Sequence, residues 1–252
     1  KGAHAIVYRG KYNGKEVAIK QCKVAETFDR EIKNLRRLQH ANVIALFGFS
    51  ELSSASKEKY LVLELAKCNL SQVVYKEAKF ASQYGNLRNA LEWAAQICDA
   101  FTYIHEQQVI HYDLKPMNVL LSANWRVKIC DFGISRRPVS GLGEDGATPA
   151  YTAPEIILSE KETLTEKVDV YSFGIVLWEI AHRVEAFKEE DFTVLEVLNR
   201  ITTGYRPKVK EHLVHKSLQR LIEDCWNSTP ENRPAFSDIA EELMLIKDKD
   251  MP

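Results

Sequence analysis

The chain has 252 residues, of which 27% are charged and 45% are hydrophobic, and its formal net charge is -1. This length provides enough apolar surface for one large domain or for two lobes that share a cleft. A net charge near zero produces no overall field that would attract nucleic acid or an anionic membrane, so we expect neither as a partner. Five scattered cysteines without CxxC spacing suggest neither a disulfide framework nor a zinc site, and they favour a reducing compartment.

The first quarter of the sequence predicts β-strands and one helix. Two strand-like runs at residues 7–12 and 15–22 flank Asn13-Gly14, which is a strong signal for a hairpin with a type I′ turn. A further strand is predicted at residues 60–65. Between them, apolar residues recur at helical spacing and predict an amphipathic helix of about three turns: Phe28, Ile32, Leu35 and Leu38.

From about residue 70 the pattern becomes mainly helical. A long helix is predicted around residues 90–104, and two short strands are predicted at residues 119–121 and 127–130. Residues 135–150 show no periodicity and predict a loop. Residues 166–181 predict a buried helix that is apolar nearly all round, and its apolar run is well short of the roughly 20 residues that a membrane span needs. Helical spacing returns at residues 217–226 and 236–246.

Several short motifs follow one another along the chain, and each alone has an ordinary structural explanation. "VAIK", ending at Lys20, is compatible with an edge strand, "DFG" at residues 131–133 with a turn, and "HYDLKPMN" at residues 111–118 with a polar loop. Their order is more specific: Lys20, a helix bearing Glu31, "HYDLKPMN", "DFG", and then "APE" at residues 153–155. In this order and spacing they resemble the signature motifs of the eukaryotic protein kinase family over essentially the whole chain.

The resemblance implies an α+β, bilobal fold with a small β-rich lobe at residues 1–65, a hinge at 66–69 and a large helical lobe at 70–252. It also implies that ATP and Mg²⁺ are the cofactors. Catalysis of phosphoryl transfer consists mostly of positioning and electrostatic stabilisation, so fixed cations and a base are the groups required.

The resemblance assigns a role to each motif residue. Lys20 would bind the α- and β-phosphates, and Glu31 would hold Lys20 through an ion pair. Asp113 would accept the proton of the substrate hydroxyl, and Lys115 would neutralise charge on the transferred phosphate. The two metal ligands would be Asp131 and Asn118, which offer the hard oxygen donors that Mg²⁺ prefers.

The nucleotide pocket is implied by the same comparison. The family's G-x-G-x-x-G-x-V loop matches at Gly2 and Val7, Ala5 replaces the third glycine, and the first glycine would precede residue 1, as expected for an excised domain. The methyl group of Ala5 restricts the backbone and predicts slightly weaker nucleotide binding. The remaining pocket residues implied are Ala18 and Leu120 on the two sides of adenine, Glu64 and Ala66 as backbone hydrogen-bonding partners, and Leu63 at the back pocket.

Other matched residues have structural roles in the family. Asp169 would anchor the backbone of the catalytic loop, and Glu155 would form a buried ion pair with Arg233. A stack that links the two lobes is implied for Leu35, Leu46, His111 and Phe132.

Tyr112 departs from the family pattern, in which an arginine before the catalytic aspartate pairs with a phosphate on the activation loop. Tyrosine has no charge for that contact. Either the substitution is neutral, or the domain is a non-RD kinase whose basal activity does not depend on loop phosphorylation. Hydroxyls in the 135–152 loop still leave autophosphorylation open there: Ser135, Ser140, Thr148 and Thr152.

Different motifs give different indications of whether serine, threonine or tyrosine hydroxyls are phosphorylated. "DLKPMN" and Thr148 resemble serine/threonine kinases, whereas "DVYSFGIVLWEI" and "CWNSTPENRP" resemble tyrosine kinases and the tyrosine-kinase-like group. The combination favours that latter group, with protein serine and threonine as substrates, and dual specificity or tyrosine specificity is one alternative. A nucleotide-binding pseudokinase scaffold is the other. A cytoplasmic location is expected, either for the chain itself or as the intracellular domain of a larger protein.

Overall fold

The computed structural model describes residues 5–52, 58–76, 87–134, 149–158 and 164–249. Its first part is an antiparallel sheet in the order β1-β2-β4-β3. Asn13 and Gly14 join the first two strands with φ values of 47° and 78°, as a type I′ turn requires, so the predicted hairpin is confirmed. The strands are β1 (Ala5–Tyr12), β2 (Lys15–Cys22), β3 (Leu46–Leu52) and β4 (Glu58–Glu64).

Helix α1 (Ala25–Arg37) connects β2 with β3 and has the predicted length and buried face. Phe28, Ile32 and Leu35 are buried at helical spacing, because this face packs against the hydrophobic core. Acidic Glu26 lies in the first turn and basic residues lie in the last turn, an arrangement that the helix dipole favours. The apolar period therefore determines which face of α1 is buried.

A second, three-stranded sheet joins the first part of the chain to the helical part. It has the order β5-β6-β7, with β5 (Cys68–Asn69), β6 (Val119–Leu121) and β7 (Val127–Ile129). The N–H of Lys67 also bonds the carbonyl of Leu121, at 2.8 Å. The predicted hinge covers residues 66–69, and its second half, residues 68–69, therefore pairs with strand β6. Strand β7 ends one residue earlier than predicted.

The helical part is organised around α4 (Lys167–His182), whose side chains are buried on every side from Val168 to Ile180. Gly174 permits a close approach there, since a Cβ at this position would lie 2.9 Å from the Cβ of Cys225. Among the described helices, none is long and apolar enough to cross a membrane. The helices are α2 (Leu87–Glu106), α3 (Pro154–Leu158), α4 (Lys167–His182), α5 (Val194–Thr202), α6 (Lys216–Cys225) and α7 (Phe236–Lys249).

A first part built on a four-stranded sheet and a second part built on helices together confirm the predicted α+β, bilobal fold. Helix α2 packs along α7, and α4 packs against α6, so the second half of the chain is a helical body with one small sheet. Gly2 and the predicted loop hydroxyls of Ser135, Ser140 and Thr148 lie outside the described residues.

Candidate active site

Lys20 lies on β2 between two carboxylates that come from distant parts of the chain. Its Nζ donates to Glu31 Oε1 and Oε2 of α1 at 2.8 and 2.7 Å, and to Asp131 Oδ1 at 3.1 Å. Burial opposes the charge of Lys20, but the two carboxylates outweigh burial and raise the pKa of Lys20. The two carboxylates therefore favour the charged form of the ammonium group, and the predicted Lys20–Glu31 ion pair is present.

Asp113 lies in the loop before β6, and its side chain is held by two neighbours. Lys115 Nζ donates to Asp113 Oδ1 at 2.8 Å. The amide nitrogen of Asn118 donates to the Asp113 carbonyl at 2.8 Å and to Asp113 Oδ2 at 2.7 Å. These contacts bring a carboxylate, an ammonium group and an amide together within residues 113–118.

The backbone before Asp113 is anchored by Asp169, a fully buried carboxylate of α4. Asp169 accepts hydrogen bonds from the backbone N–H groups of His111 and Tyr112, at 2.9 and 2.8 Å, and it lies 2.9 Å from His105 Nε2. Tyr112 has a φ of 64°, a left-handed conformation that is unfavourable for an aromatic residue and must be held by its surroundings. The anchoring role expected of Asp169 is present.

Asp131 and Asn118 lie next to each other because the N–H of Cys130 bonds the carbonyl of Asn118, at 3.0 Å. Burial disfavours the charged form of Asp131, but the Lys20 ammonium outweighs burial and lowers the pKa of Asp131. The Asn118 amide nitrogen is used by Asp113, which leaves the amide oxygen as a donor to a cation. One carboxylate and one amide oxygen form a set of hard donors, and this set would fit a Mg²⁺ ion that takes its other ligands from phosphate oxygens and water.

The residues expected to line a nucleotide pocket lie on strands around this centre. Val7 of β1 is the cross-strand partner of Lys20, and Ala18 of β2 is the partner of Leu63 on β4. Leu120 lies on β6, in the other sheet. Ala5 lies in extended β1, where a methyl group fits the backbone without strain.

The chain that leaves β4 is also held in place. The N–H of Glu64 bonds the carbonyl of Ala45 at 2.9 Å, and the Glu64 carboxylate lies 2.8 Å from the ammonium of Lys128 on β7. Ala66 follows two residues later, before Lys67 bonds to β6. The segment therefore crosses between the two sheets with its backbone supported on both sides.

The predicted buried ion pair is present, and one contact of the predicted stack is observed. Arg233, which is 1% exposed, donates from Nη1 and Nη2 to the two oxygens of Glu155 at 2.6 and 2.8 Å. The rings of His111 and Phe132 meet with centroids 4.9 Å apart, and Leu35 belongs to the same hydrophobic core. Leu46 packs against that core.

Two buried polar groups were not identified from the sequence. Asn34 is buried in α1, and a polar residue on the apolar face of that helix is the signal that could have found it. Glu179 is buried in α4, where it accepts from Tyr75, Tyr151 and the N–H of Ala186. Burial raises the pKa of Glu179 to about 7 although these three donors oppose the rise. The signal that could have found it is a carboxylate that directly follows the apolar run at residues 170–178.

Comparison with known proteins gives the same result as the geometry. Residues 1–243 match the family model of the protein tyrosine and serine/threonine kinases. Mitogen-activated protein kinase kinase kinase 7 of Drosophila melanogaster is 32% identical over 98% of this chain and 36% of its own length. Mitogen-activated protein kinase kinase kinase dlk-1 of Caenorhabditis briggsae is 33% identical over 98% of this chain and 28% of its own length.

A third relative, dual specificity protein kinase shkA of Dictyostelium discoideum, is 33% identical over 97% of this chain and 47% of its own length. The chain thus spans less than half of the length of each of these three relatives. The family match covers well over half of the chain, and the order of motifs, the bilobal fold and the Lys20–Glu31–Asp131 contacts agree with it. The chain therefore belongs to the protein tyrosine and serine/threonine kinase family.

Proposed function

We propose that the chain transfers the γ-phosphate of ATP to serine and threonine hydroxyls of protein substrates. The observation that carries this proposal is the convergence of Lys20 with Glu31 and Asp131, which brings together β2, α1 and the segment after β7. A group of fixed charges of this kind can stabilise the charge that develops on a transferred phosphoryl group.

The chemistry is divided among the side chains. Lys20 binds the α- and β-phosphate oxygens, and Glu31 keeps its ammonium in place. Asp113 orients the substrate hydroxyl and accepts its proton as the oxygen attacks, while Lys115, 2.8 Å from Asp113, balances negative charge on the moving phosphate. Mg²⁺, when bound by Asp131 and Asn118, would supply positive charge to the phosphate oxygens.

The nucleotide is held by the strands that surround this centre. Ala18 and Leu120 enclose adenine from the two sheets, and Val7 covers it from β1. The backbone of Glu64 and Ala66 provides hydrogen bonds to the adenine edge, and Leu63 closes the back of the pocket. In this proposal, residues 1–65 form the small lobe, 66–69 the hinge and 70–252 the large lobe.

The choice of serine and threonine rests on Lys115 in "DLKPMN" and on relatives whose names include mitogen-activated protein kinase kinase kinases. Dual specificity is the second candidate, favoured by the name of the Dictyostelium discoideum relative. A pseudokinase scaffold is disfavoured because Lys20, Glu31, Asp113 and Asp131 are all retained, and because Ala5 lies in extended backbone that tolerates its methyl group. The expected cytoplasmic location belongs to this proposal.

Tyr112 determines how the proposed activity depends on phosphorylation of the loop. Because this side chain cannot form the ion pair with a phosphate that an arginine would form, basal activity is largely independent of phosphorylation in the 135–152 loop. Autophosphorylation of that loop is compatible with this proposal, but it would not be the switch.

The test is transfer of label from [γ-³²P]ATP to a generic protein substrate, followed by phosphoamino-acid analysis. Wild type is compared with Asp113→Asn, which keeps the shape of the side chain and removes the base. We expect label on serine and threonine from wild type and a loss of at least 100-fold in the variant. Equal incorporation by the two proteins would refute the assignment, and label mainly on tyrosine would refute the substrate class.

A further inference from the structure

Helix α1 contacts the "DFG" segment at three points along one side. The Asn34 amide nitrogen donates to the Phe132 carbonyl at 3.0 Å, and Arg30 Nη1 donates to the Gly133 carbonyl at 3.1 Å. At the third point the backbones approach closely, since a Cβ on Gly133 would lie 2.9 Å from Thr27 Cγ2 and 3.3 Å from the Thr27 carbonyl oxygen. Residues 27, 30 and 34 are spaced by three and four, so they form one stripe on the helix.

These contacts couple the two carboxylates that hold Lys20. Glu31 lies on α1 between Arg30 and Asn34, and Asp131 directly precedes the two residues whose carbonyls accept from them. A displacement of α1 that separates Glu31 from Lys20 must either break its bonds to the segment that carries Asp131 or carry that segment with it. The position of the helix is therefore coupled to that of the "DFG" segment.

Burying the Asn34 side chain costs free energy unless its amide group forms hydrogen bonds. It is 7% exposed and lies on the face of α1 that also buries Ile32 and Leu35. An apolar side chain would be more favourable at this buried position, because a buried amide loses its hydrogen bonds to water and needs protein partners in their place. The Phe132 carbonyl is such a partner, since it accepts a hydrogen bond from the Asn34 amide nitrogen.

The backbone of Asp131 also needs support. Its φ of 70° is in the left-handed region, which a non-glycine residue occupies only when its neighbours impose it. The hydrogen bonds from Asn34 and Arg30 begin at the next residue and fix the carbonyl directions of Phe132 and Gly133. They are the groups on α1 that are best placed to impose this conformation.

We propose that Asn34 and Arg30 are positioning residues that hold Asp131 in its metal-binding orientation without a phosphate on the activation loop. This inference rests on the proposed kinase function and explains how a kinase with Tyr112 keeps α1 and the "DFG" segment in their productive arrangement. The bonds supply the order that an arginine–phosphate pair supplies in kinases with an arginine at that position.

The experiment uses Asn34→Leu, which keeps the approximate volume and removes the donor, and Arg30→Met, which removes the guanidinium. Lys33→Met is the matched control, because Lys33 lies between them on α1 and is exposed. Three quantities are measured: the Mg²⁺ concentration for half-maximal rate, nucleotide affinity without Mg²⁺, and hydrogen exchange of residues 130–134 in the nucleotide-free protein.

For each test variant we expect a three- to tenfold higher Mg²⁺ requirement and at least tenfold faster exchange in residues 130–134. Metal-free nucleotide affinity should stay within twofold of wild type, and Lys33→Met should match wild type in all three measurements. A role in folding alone would instead change thermal stability without changing the Mg²⁺ requirement. Wild-type values for exchange and Mg²⁺ requirement in folded Asn34→Leu and Arg30→Met would overturn the proposal.

The test separates this inference from the proposed function. If wild type transfers no phosphate, the proposed function fails, while hydrogen exchange still tests whether Asn34 and Arg30 hold the "DFG" segment. If Asn34→Leu does not fold, Arg30→Met decides the outcome, since its side chain is only partly buried. An active wild type with unchanged exchange in Arg30→Met would refute the positioning role.

Discussion

Replacing Glu31 by glutamine tests the contact on which the site depends. The change keeps the shape of the side chain but removes its charge, and Lys20 Nζ then retains Asp131, at 3.1 Å, as its charged partner among the described residues. The two bonds between Lys20 and Glu31 are 2.7 and 2.8 Å long and buried, and glutamine can offer Lys20 no more than one acceptor, which is neutral. A hydrogen bond to a charged group contributes about 1.5–3 kcal/mol, which corresponds to a loss of about 10- to 160-fold in kcat/KM.

The assay is the steady-state rate of label transfer from [γ-³²P]ATP, with thermal unfolding as the check on folding. Glu26→Gln is the matched control, because Glu26 lies in the exposed first turn of the same helix. We expect the control to keep at least half of the wild-type kcat/KM. Activity of a folded Glu31→Gln variant within twofold of wild type would refute the reasoning that the ion pair positions Lys20.

Three further changes test other parts of the structure. Glu155→Ala leaves the buried guanidinium of Arg233 without its carboxylate and should lower the free energy of unfolding by about 3–5 kcal/mol in urea titrations; a loss below about 1 kcal/mol would contradict a buried pair. Because the pKa of Glu179 is raised to about 7, its stabilising contribution is complete below about pH 4.5 and is lost as the pH rises through 7. Wild type should therefore lose up to about 3 kcal/mol relative to Glu179→Gln between pH 5 and 8, and parallel stability curves would contradict this. Tyr112→Arg adds a guanidinium to the cavity of about 660 Å³ that Arg30 and Tyr112 line, so phosphatase treatment should lower the activity of the variant several-fold and leave wild type unchanged; equal insensitivity of both proteins would contradict the proposed role of Tyr112.

The parts of the fold that local sequence determines were predicted well. The β1–β2 hairpin follows from Asn13-Gly14, because this pair tolerates two consecutive positive φ values. Helix α1 follows from its apolar period, and α4 follows from a run that is apolar on every side. In each case the deciding interactions lie within a few residues of each other or reflect burial alone.

The motif residues were found because their types and order resemble a known family, but their contacts could not be derived from spacing. Lys20 and Asp131 are 111 residues apart, and nothing local to either predicts a distance of 3.1 Å. Asn34 was missed because a single polar residue hardly changes the amphipathic pattern of α1, and its partner is the backbone of Phe132, 98 residues away. Backbone acceptors of this kind leave no mark in the sequence.

The predicted strand at residues 127–130 shows why ends of elements are harder to predict. The apolar pattern continues to Cys130, but β7 ends at Ile129 because the N–H of Cys130 bonds the carbonyl of Asn118. That bond aligns Asn118 with Asp131 at the candidate metal site. The end of the strand is thus determined by a partner from another part of the chain.

The most direct test of the central claim is phosphate transfer by wild type and by Lys20→Met, Asp113→Asn and Asp131→Asn, all purified and shown to be folded. If the three residues act in one cleft on one ATP molecule, each substitution should lower label incorporation from [γ-³²P]ATP at least 100-fold, and a double variant should lose little more than a single one. Wild-type incorporation by any one of the three folded variants would contradict the account.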